Sequence, residues 1–325
     1  ILSVDNNFTL VGFLEENTEY LGRKINGYQV YSLKNINKLV KIMDVNTIIM
    51  AAQNLNYEKK KELLNTFIKN NISVYSALQF LKTLSNIGDT NEITSTDILN
   101  LIGRVPQKPN INLLKKNIKN KNILITGAAG SIGRELAIQI LMLNPNSLIL
   151  LDNNEYGLYK LDNFIKKLIK KNKHIKAKII NVLASINDKN RIKNILQTYN
   201  PNTIYHVAAY KHVPLLETNI VEALRINVIG TYTILNLIKG SKVENFVLVS
   251  TDKAVRPTNI MGVSKRIAER ILLSLEKEII GIKLTIVRFG NVIGSSGSVI
   301  PMFLDQIKNG GPITVTDPNV TRFFM

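Results

Sequence analysis

The feature that most restricts the fold is a series of six apolar runs in the second part of the chain. They read NILIT, SLILL, AKIINV, TIYHVAA, NFVLVS and LTIVRF, and they begin at residues 122, 147, 177, 203, 245 and 284. Segments with the helical spacing of apolar residues separate them. Strands whose apolar residues run on, instead of alternating with polar ones, have both faces covered. The sequence therefore predicts an α/β fold with a doubly wound parallel sheet over residues 122–325.

The first part of the chain, residues 1–106, predicts a smaller α/β domain. The runs TLVGFL, NTIIMAA and NISVYSA resemble strands, and LKNINKLVKIM and YEKKKELLNTFIKN between them have helical spacing. Strands that alternate with helices favour a parallel sheet. No glycine-rich phosphate loop opens this domain, so we assign it no catalysis. Residues 107–121 are predicted to be a linker, because Pro106 and Pro109 disfavour helix.

Composition excludes several kinds of site. The chain has no cysteine, which excludes disulfides, thiolate nucleophiles and cysteine-bound metals. Its three histidines, at 174, 206 and 212, are scattered, so no metal site is predicted. The net charge is +18, but the lysines are spread with little aromatic interleaving, and we interpret them as solvated surfaces without nucleic-acid binding. No apolar stretch reaches the ~18 residues that a membrane-spanning helix needs.

A glycine pattern follows the first of the six runs. In NILITGAAGSIGRELAIQIL, Gly127, Gly130 and Gly133 lie between a predicted strand and a predicted helix. Glycines permit a tight turn and close approach of the backbone, and the start of the helix, at Ser131 and Ile132, offers N–H groups to a pyrophosphate. The pattern predicts a dinucleotide site in a Rossmann sheet. An ordinary turn between a strand and a helix is the alternative.

An acidic residue at the end of the next strand indicates which dinucleotide binds. Asp152 lies 19 residues after Gly133, where its carboxylate can accept hydrogen bonds from the adenosine ribose hydroxyls. A carboxylate there repels a 2′-phosphate, and neither Asn153 nor Asn154 supplies a cation. We therefore expect NAD and not NADP, with Asn153 among the cofactor-binding residues. A solvated strand-end carboxylate is the alternative.

Four further motifs carry a resemblance to a known family. The segments AAYKHVPLLE, STDKAVRPTNIMGVSKR, RFGNVIGSSGSVIP and DPNVTRFFM resemble the nucleotide-sugar 4,6-dehydratases of polysaccharide biosynthesis, in the extended short-chain dehydrogenase/reductase superfamily. The resemblance covers residues 122–325 and extends more loosely over the amino-terminal domain. It implies NAD-dependent dehydration of a UDP-N-acetylhexosamine, such as UDP-N-acetylglucosamine, to a 4-keto-6-deoxy sugar nucleotide for surface polysaccharide or glycan biosynthesis.

The resemblance also implies partners and a location. The long members of the family lie on the cytoplasmic side of the inner membrane, with transmembrane helices that precede a Rossmann-like accessory domain. Membrane attachment is expected only through segments absent from this chain, which starts at ILSVDNN and ends at TRFFM and which we interpret as a piece of a longer protein. A UDP-sugar is the expected substrate, and assembly into a homo-oligomer is expected.

The segment after the fifth run is implied to hold the proton chemistry. By resemblance, Thr251 hydrogen-bonds the oxygen at sugar carbon 4, Asp252 is the acid for the hydroxyl that leaves carbon 6, and Lys253 is the base at carbon 5. These roles require a raised pKa for Asp252 and a neutral Lys253, which burial beside the nicotinamide favours. The alternative is a strand-end turn in which both charged side chains are exposed.

A methionine occupies the position at which the wider superfamily has a proton-transferring tyrosine. Met261 lies four residues before Lys265, so the two side chains share one face of a predicted helix. The membrane-type dehydratases resembled here also have methionine at this position, and Lys265 is implied to bind the nicotinamide ribose. The hydroxyl proton is then expected to pass through Thr251, a water or the ribose hydroxyls toward Lys265, and the sequence does not decide which. A core methionine beside a surface lysine is the alternative.

The other implied site residues lie just after predicted strands. They are Ala208, Ala209 and Tyr210 for the cofactor, and Lys211, Asn291, Ser298 and Arg322 for the substrate, whose region starts at about residue 291. Ser185 stands where many relatives have an acid against adenine. We interpret His206 and His212 as packing or hydrogen-bonding residues.

Two other functions stay open from the sequence. A related epimerase or reductase needs only the redox step at carbon 4, and so has no need for the adjacent Asp252–Lys253 pair. A non-catalytic NAD-binding remnant is favoured if Met261 or a missing end has abolished the chemistry.

Overall fold

The chain divides into two units, residues 1–104 and 105–325, in a computed structural model. The residues that the structure describes are 9–15, 18–51, 62–64, 66–67, 72–76, 109–292, 295, 297–315, 317, 319 and 321. No helix in these ranges is long and apolar enough to cross a membrane.

The described residues of the first unit form two small sheets and a helix. Its elements are β1 (Phe13–Glu15), β2 (Lys24–Ile25), β3 (Tyr28–Ser32), α1 (Ile36–Met43), β4 (Thr47–Met50) and β5 (Ser73–Ser76). Strand β1 is parallel to β3, and β4 is parallel to β5. Ile36, Val40, Phe67 and Ile72 form its buried core. The helix predicted over YEKKKELLNTFIKN lies mostly outside the described residues.

One pairing in the first unit differs from the predicted parallel sheet. Strands β2 and β3 form an antiparallel hairpin, in which Ile25 pairs with Tyr28. Asn26 and Gly27 between them both have positive φ, of 50° and 89°. Two residues of positive φ give a tight turn whose twist matches that of a hairpin, and Asn-Gly is the sequence that favours it.

The second unit contains a six-stranded sheet, with one strand at each of the six apolar runs. The strands are β6 (Asn122–Thr126), β7 (Ser147–Asp152), β8 (Lys178–Leu183), β9 (Thr203–His206), β10 (Asn245–Thr251) and β11 (Lys283–Phe289). The helices are α2 (Ile111–Lys116), α3 (Ser131–Met142), α4 (Glu155–Lys171), α5 (Lys189–Tyr199), α6 (Val213–Thr218), α7 (Ile220–Ala223), α8 (Thr231–Leu237), α9 (Ile260–Leu275) and α10 (Val299–Lys308). A π-helical segment, Leu224–Gly230, joins α7 to α8.

The order of the strands shows where a ligand can enter. All pairs are parallel, and the order is β11-β10-β9-β6-β7-β8. The chain builds outward from β6 to β8 and then crosses to β9 on the other side of β6. Beyond the carboxyl ends of β6 and β9 the loops diverge, which leaves a crevice. The predicted doubly wound Rossmann sheet is confirmed.

Helices cover both faces of this sheet, as the continuous apolar runs predicted. On β6, Ile123 and Ile125 point to one face and pack with α3 and α4. Leu124 points to the other face and packs with α5, α8 and α9. All three side chains are buried. A strand enclosed in this way needs apolar residues at consecutive positions.

The predicted linker is partly helical where the structure describes it. Helix α2 lies inside it, and the Asn110 side chain accepts a hydrogen bond from the N–H of Leu113 at 3.2 Å. Ile118 is buried in the core of the second unit. Pro109 precedes the cap of the helix, where a missing N–H costs nothing, so the expectation that proline would exclude helix here was wrong.

The glycine loop between β6 and α3 is closely packed against itself. Gly127 has a φ of +70°, a conformation that side chains other than glycine rarely adopt. A Cβ atom on Gly133 would collide with the carbonyl oxygen of Gly127. Gly133 therefore lets the first turn of α3 approach the end of β6.

The substitution Gly133→Ala is expected to destabilise the second unit by about 1–3 kcal/mol, because the added methyl group overpacks a backbone contact. Gly130→Ala is the matched control, since its Cβ would lie 3.4 Å from the Gly127 oxygen and its φ of −70° suits alanine. Urea unfolding monitored by circular dichroism measures both. Equal stability of Gly133→Ala and the wild type would contradict the packing argument.

Candidate active site

A cleft of about 1060 Å³ opens at the carboxyl ends of the strands of the second unit. This volume is slightly above the ~300–1,000 Å³ typical of ligand sites. The predicted site residues that line it are Gly127, Gly130, Ser131, Ile132, Asp152, Asn153, Ala208, Ala209, Tyr210, Lys211, Thr251, Lys253, Met261, Lys265, Asn291 and Ser298. Gly133 and Asp252 are not among the lining residues, and Arg322 lies outside the described residues.

Asp152 fastens the glycine loop to the neighbouring strand. One carboxylate oxygen accepts a hydrogen bond from the N–H of Ala129 at 2.8 Å, and the other accepts one from the N–H of Asn154 at 2.9 Å. The N–H of Ala128 also donates to the carbonyl of Leu151, at 3.1 Å. Asp152 is buried yet lines the cleft. It therefore shapes the loop in addition to its predicted contact with the ribose.

The amino end of α3 differs from those of other helices in this unit. The residues directly before helices α4, α5 and α9 are Asn154, Asp188 and Asn259. The side chain of each accepts a hydrogen bond from a backbone N–H in the first turn of its helix. Helix α3 begins after Gly130, which has no side chain to do this. Its first turn lines the cleft. The positive end of the helix dipole is thus directed at the place where a phosphate would lie.

His206, at the end of β9, lies in a buried chain of hydrogen bonds. Its Nδ1 is 2.7 Å from Thr126 Oγ1, and its Nε2 is 3.0 Å from Thr231 Oγ1. Thr231 Oγ1 donates to the carbonyl of Asn227 at 2.8 Å, so it accepts from His206 Nε2–H. This leaves Nδ1 as the acceptor of the Thr126 proton. Burial, with a smaller effect of the Lys265 charge, lowers the pKa of His206 to about 3, so the ring is neutral.

Asn227 holds the segment expected to line the cofactor. Its Oδ1 accepts from the N–H of Tyr210 at 2.8 Å, and its Nδ2 donates to the carbonyl of Tyr210 at 3.1 Å. Nδ2 also donates to Ser264 Oγ at 2.9 Å. Asn227 lies on the π-helical segment, whose wider turn moves this side chain relative to an α-helix. No pattern in the sequence indicates this role, because an asparagine inside a helix has no local signal of it.

The strand-end residues Thr251, Asp252 and Lys253 are hydrogen-bonded to one another. Thr251 Oγ1 donates to Asp252 Oδ1 at 2.9 Å, and Lys253 Nζ lies 3.2 Å from the same oxygen. Lys253 Nζ also donates to Asn291 Oδ1 at 3.0 Å, which joins a predicted catalytic residue to a predicted substrate residue. Lys253 lines the cleft, whereas the Asp252 side chain is 45% exposed.

The protonation state of Asp252 differs from the expectation. Burial alone would raise its pKa, but the hydrogen bonds from Thr251 and Lys253 and the charge of Lys253 outweigh burial and lower the pKa. The expected raised pKa is therefore wrong for the protein alone. The carboxylate is too exposed for desolvation to dominate, and two donors stabilise its ionised form.

Met261 and Lys265 share one buried face of α9, and both line the cleft. Met261 packs with Leu216 and Ala223. Lys265 is only 6% exposed, and burial lowers its pKa to about 8 against the opposing charge of Glu269. The alternative of a surface lysine beside a core methionine is wrong for Lys265.

The substrate side of the cleft is described in part. Ser298 lies just before α10, and its Oγ is buried with no hydrogen-bond partner among the described residues. A Cβ on Gly297 would lie 2.6 Å from the ring of His212, so the two loops meet at the cleft wall. Burial lowers the pKa of Lys211. Ser185 also lines the cleft, where its Oγ accepts from the N–H of Asn187 at 3.3 Å.

Known proteins match this chain, most extensively over the second unit. The model of a family described as polysaccharide biosynthesis protein matches residues 123–325. The chain is 37% identical over 302 residues to the capsular polysaccharide biosynthesis protein CapD of Staphylococcus aureus, covering 93% of this chain and 49% of CapD. It is 35% identical over 214 residues to a UDP-glucose 4-epimerase of Rickettsia rickettsii, covering 63% of this chain and 59% of the epimerase.

A solved structure shows the same fold. The dTDP-glucose 4,6-dehydratase DesIV of Streptomyces venezuelae, crystallised with NAD bound, is 22% identical with a TM-score of 0.54, covering 62% of this chain and 67% of DesIV. At that identity the likeness is one of fold. The chain spans about half the length of CapD, so the activity of the whole protein needs its own argument.

His206 makes the stability of the second unit depend on pH. Its pKa of about 3 in the folded chain is below the ~6.5 of the unfolded chain, so its contribution is complete above pH 6.5 and is lost as the pH falls toward 3. When the pH falls from 7 to 5, we expect His206 to lower the free energy of unfolding of the wild type by about 2 kcal/mol. Urea unfolding of wild type and His206→Asn at both pH values measures this difference.

The control for this prediction is His174→Asn, which changes an exposed histidine and is expected to keep the full pH dependence of the wild type. If His206→Asn loses as much stability between pH 7 and pH 5 as the wild type does, the buried neutral ring does not cause the acid sensitivity.

Proposed function

The chain belongs to the polysaccharide biosynthesis protein family, and on that premise we propose that it is an NAD-dependent dehydratase of a UDP-N-acetylhexosamine. The product is a 4-keto-6-deoxy sugar nucleotide. The proposal is carried by the hydrogen-bonded set of Thr251, Asp252 and Lys253 at the end of β10, beside the cleft that contains the glycine loop. Elimination of water needs both an acid and a base, and this set supplies one of each.

The residues present fit NAD. The uncapped amino end of α3 and the bare Cα of Gly130 leave room and N–H groups for a pyrophosphate. Asp152 would accept hydrogen bonds from the hydroxyls of the adenosine ribose, and the buried ammonium of Lys265 would bind the nicotinamide ribose. NAD, when bound, supplies an acceptor that takes a hydride from carbon 4 and returns it to carbon 6.

The contacts of Thr251 support a proton route that passes through Thr251, as one of the routes from the sequence did, but ends at Asp252 and not at Lys265. Thr251 Oγ1 donates to the ionised Asp252, so a proton from the hydroxyl at carbon 4 has a path through Thr251 to that carboxylate. Asp252 then holds the proton with which the hydroxyl at carbon 6 leaves as water. The low pKa of Asp252 suits this order, because the resting carboxylate accepts the first proton.

Lys253 would take the proton from carbon 5. Its ammonium is paired with Asp252 in the resting protein. Once Asp252 is protonated, the charge that holds the ammonium is gone, which favours the neutral amine that a base must be. Asn291 Oδ1 accepts from Lys253 Nζ at 3.0 Å and would keep the amine directed at the sugar. Met261 would not take part in proton transfer.

The substrate assignment rests on the family and on the second half of the cleft. CapD is a capsular polysaccharide biosynthesis protein, which supports a sugar nucleotide of surface polysaccharide pathways. Asn291, Ser298 and Lys211 would contact that nucleotide sugar. A role for Arg322, the accessory role of the amino-terminal unit, homo-oligomer assembly and attachment to the inner membrane stay predictions.

The test is incubation of the protein, expressed from its complete gene, with UDP-N-acetylglucosamine and NAD in deuterated water. We expect a 4-keto-6-deoxy product with solvent deuterium at carbon 5, because Lys253 exchanges the proton it has taken with solvent and returns a deuteron to carbon 5 when the hydride returns to carbon 6. Nuclear magnetic resonance and mass spectrometry of the product measure both changes. Inversion at carbon 4 with the carbon 6 hydroxyl retained would indicate an epimerase, as the Rickettsia relative suggests, and no turnover would indicate a non-catalytic protein.

Substitution of the proposed base gives a second test. Lys253→Met is expected to lower the dehydration rate at least ~100-fold, the scale of general acid–base catalysis. Lys242→Met, which removes an exposed lysine outside the cleft, is the matched control and is expected to keep full activity. Initial rates of formation of the 4-keto product measure both variants. An active Lys253→Met enzyme would exclude the proposed base.

Gly130→Ala separates cofactor binding from folding. Its added methyl group meets only ordinary contacts in the protein, so stability should stay within about 0.5 kcal/mol of the wild type. The same methyl group would occupy the space that a pyrophosphate approaches, so we expect NAD affinity to fall at least ~10-fold. Isothermal titration calorimetry with NAD measures this. Unchanged affinity would place the dinucleotide elsewhere.

A further inference from the structure

A buried carboxylate beneath the cleft has no place in the steps above. Glu269, on α9, is 0% exposed. One oxygen accepts from Ser250 Oγ at 2.6 Å and from Arg288 Nε at 2.7 Å. The other accepts from a terminal nitrogen of Arg288 and from Arg266 Nη1 at 3.1 Å. The carboxylate therefore has four donors, which is what a buried ionised group needs.

These donors come from the three elements that carry the proposed chemistry. Ser250 is the residue before Thr251 at the end of β10. Arg288 is on β11, three residues before Asn291, which contacts Lys253. Glu269 itself follows Lys265 by one turn of α9. One carboxylate thus connects the helix of Lys265 to the strand of Thr251 and to the strand that leads to Asn291.

The same carboxylate acts on the charge of Lys265. Burial alone would raise the pKa of Glu269, but hydrogen bonds from Arg288, Ser250 and Arg266 reverse this, so Glu269 is ionised. Its negative charge opposes the effect of burial on the Lys265 ammonium. Other charged or titratable groups on the elements around these two residues include the neutral His206 on β9, Arg266 on α9, Arg288 on β11 and the Asp252–Lys253 pair after β10.

We propose that Glu269 is a positioning residue that keeps the Lys265 ammonium charged and holds α9 against the ends of β10 and β11. Arg288 and Ser250 anchor its carboxylate. The proposal rests on the proposed function only for the role of Lys265 at the nicotinamide ribose. Its test measures the protonation of Lys265 and does not require conversion of a substrate. A merely structural Glu269 would affect stability but not the protonation of Lys265.

The test measures the pH at which Lys265 becomes reactive. Trace labelling with acetic anhydride between pH 6 and pH 10, read by peptide mass spectrometry, follows the neutral amine of each lysine. In the wild type the midpoint for Lys265 is expected at about 8. In Glu269→Gln, which keeps the shape and removes the charge, we expect the midpoint to fall by about one pH unit and labelling at pH 7 to rise ~5-fold.

The control is Glu278→Gln, which removes an exposed carboxylate that pairs with Lys239 and should leave the Lys265 midpoint unchanged. A folded Glu269→Gln protein with the wild-type midpoint would overturn the proposal. If Glu269→Gln does not fold, the comparison of Arg266→Gln with Arg266→Gln/Glu269→Gln decides, because loss of Arg266, whose side chain is 42% exposed, leaves one fewer unpaired cation beside the uncharged glutamine. The midpoint of Lys265 should be lower in the double variant than in Arg266→Gln, and equal midpoints would overturn the proposal.

Discussion

The pairing of β6 with β9 is the interaction on which the rest of the site depends. These strands are distant in sequence, yet Thr126 and His206 are partners in the register and their side chains are also hydrogen-bonded. The pairing places the glycine loop after β6 beside the Ala208–Tyr210 segment after β9. The strand order runs outward to β8 on one side of this pair and outward to β11 on the other. The cleft therefore opens at the carboxyl ends of β6 and β9. The residues on β10 and β11 reach the same cleft because they extend the sheet from β9.

Three buried polar side chains hold the walls of this cleft, and each of the three has partners within the protein. Asp152 fastens the glycine loop, Asn227 fastens the backbone at Tyr210, and Glu269 joins α9 to β10 and β11. A polar group that is fully paired inside a protein costs little to bury and specifies one arrangement of its neighbours. The ammonium of Lys265 differs from these three groups, because it lines the cleft and burial lowers its pKa. Asp152, Asn227 and Glu269 thus fix the walls of the cleft, whereas Lys265 presents a charge to it.

In the proposed function, the proton chemistry of the site lies at the end of β10 and does not involve Met261. A thioether cannot exchange protons, and Met261 packs with apolar neighbours at the cleft wall. The groups able to do so, Thr251, Asp252 and Lys253, form one hydrogen-bonded set. The low pKa of Asp252 is consistent with a carboxylate that first receives a proton and later donates it. The absence of the tyrosine therefore does not imply loss of function.

Patterns within a few neighbouring residues predict the six strands of the sheet and the glycine loop, and most of the site residues predicted from them line the cleft. The Asn26–Gly27 turn is a local signal of the same kind, although the prediction for the first unit did not include it. The tautomer of His206, the ionised state of Asp252 and the cluster around Glu269 follow instead from the folded chain. Protonation and buried pairing depend on burial and on partners from other strands and helices, which no local pattern specifies.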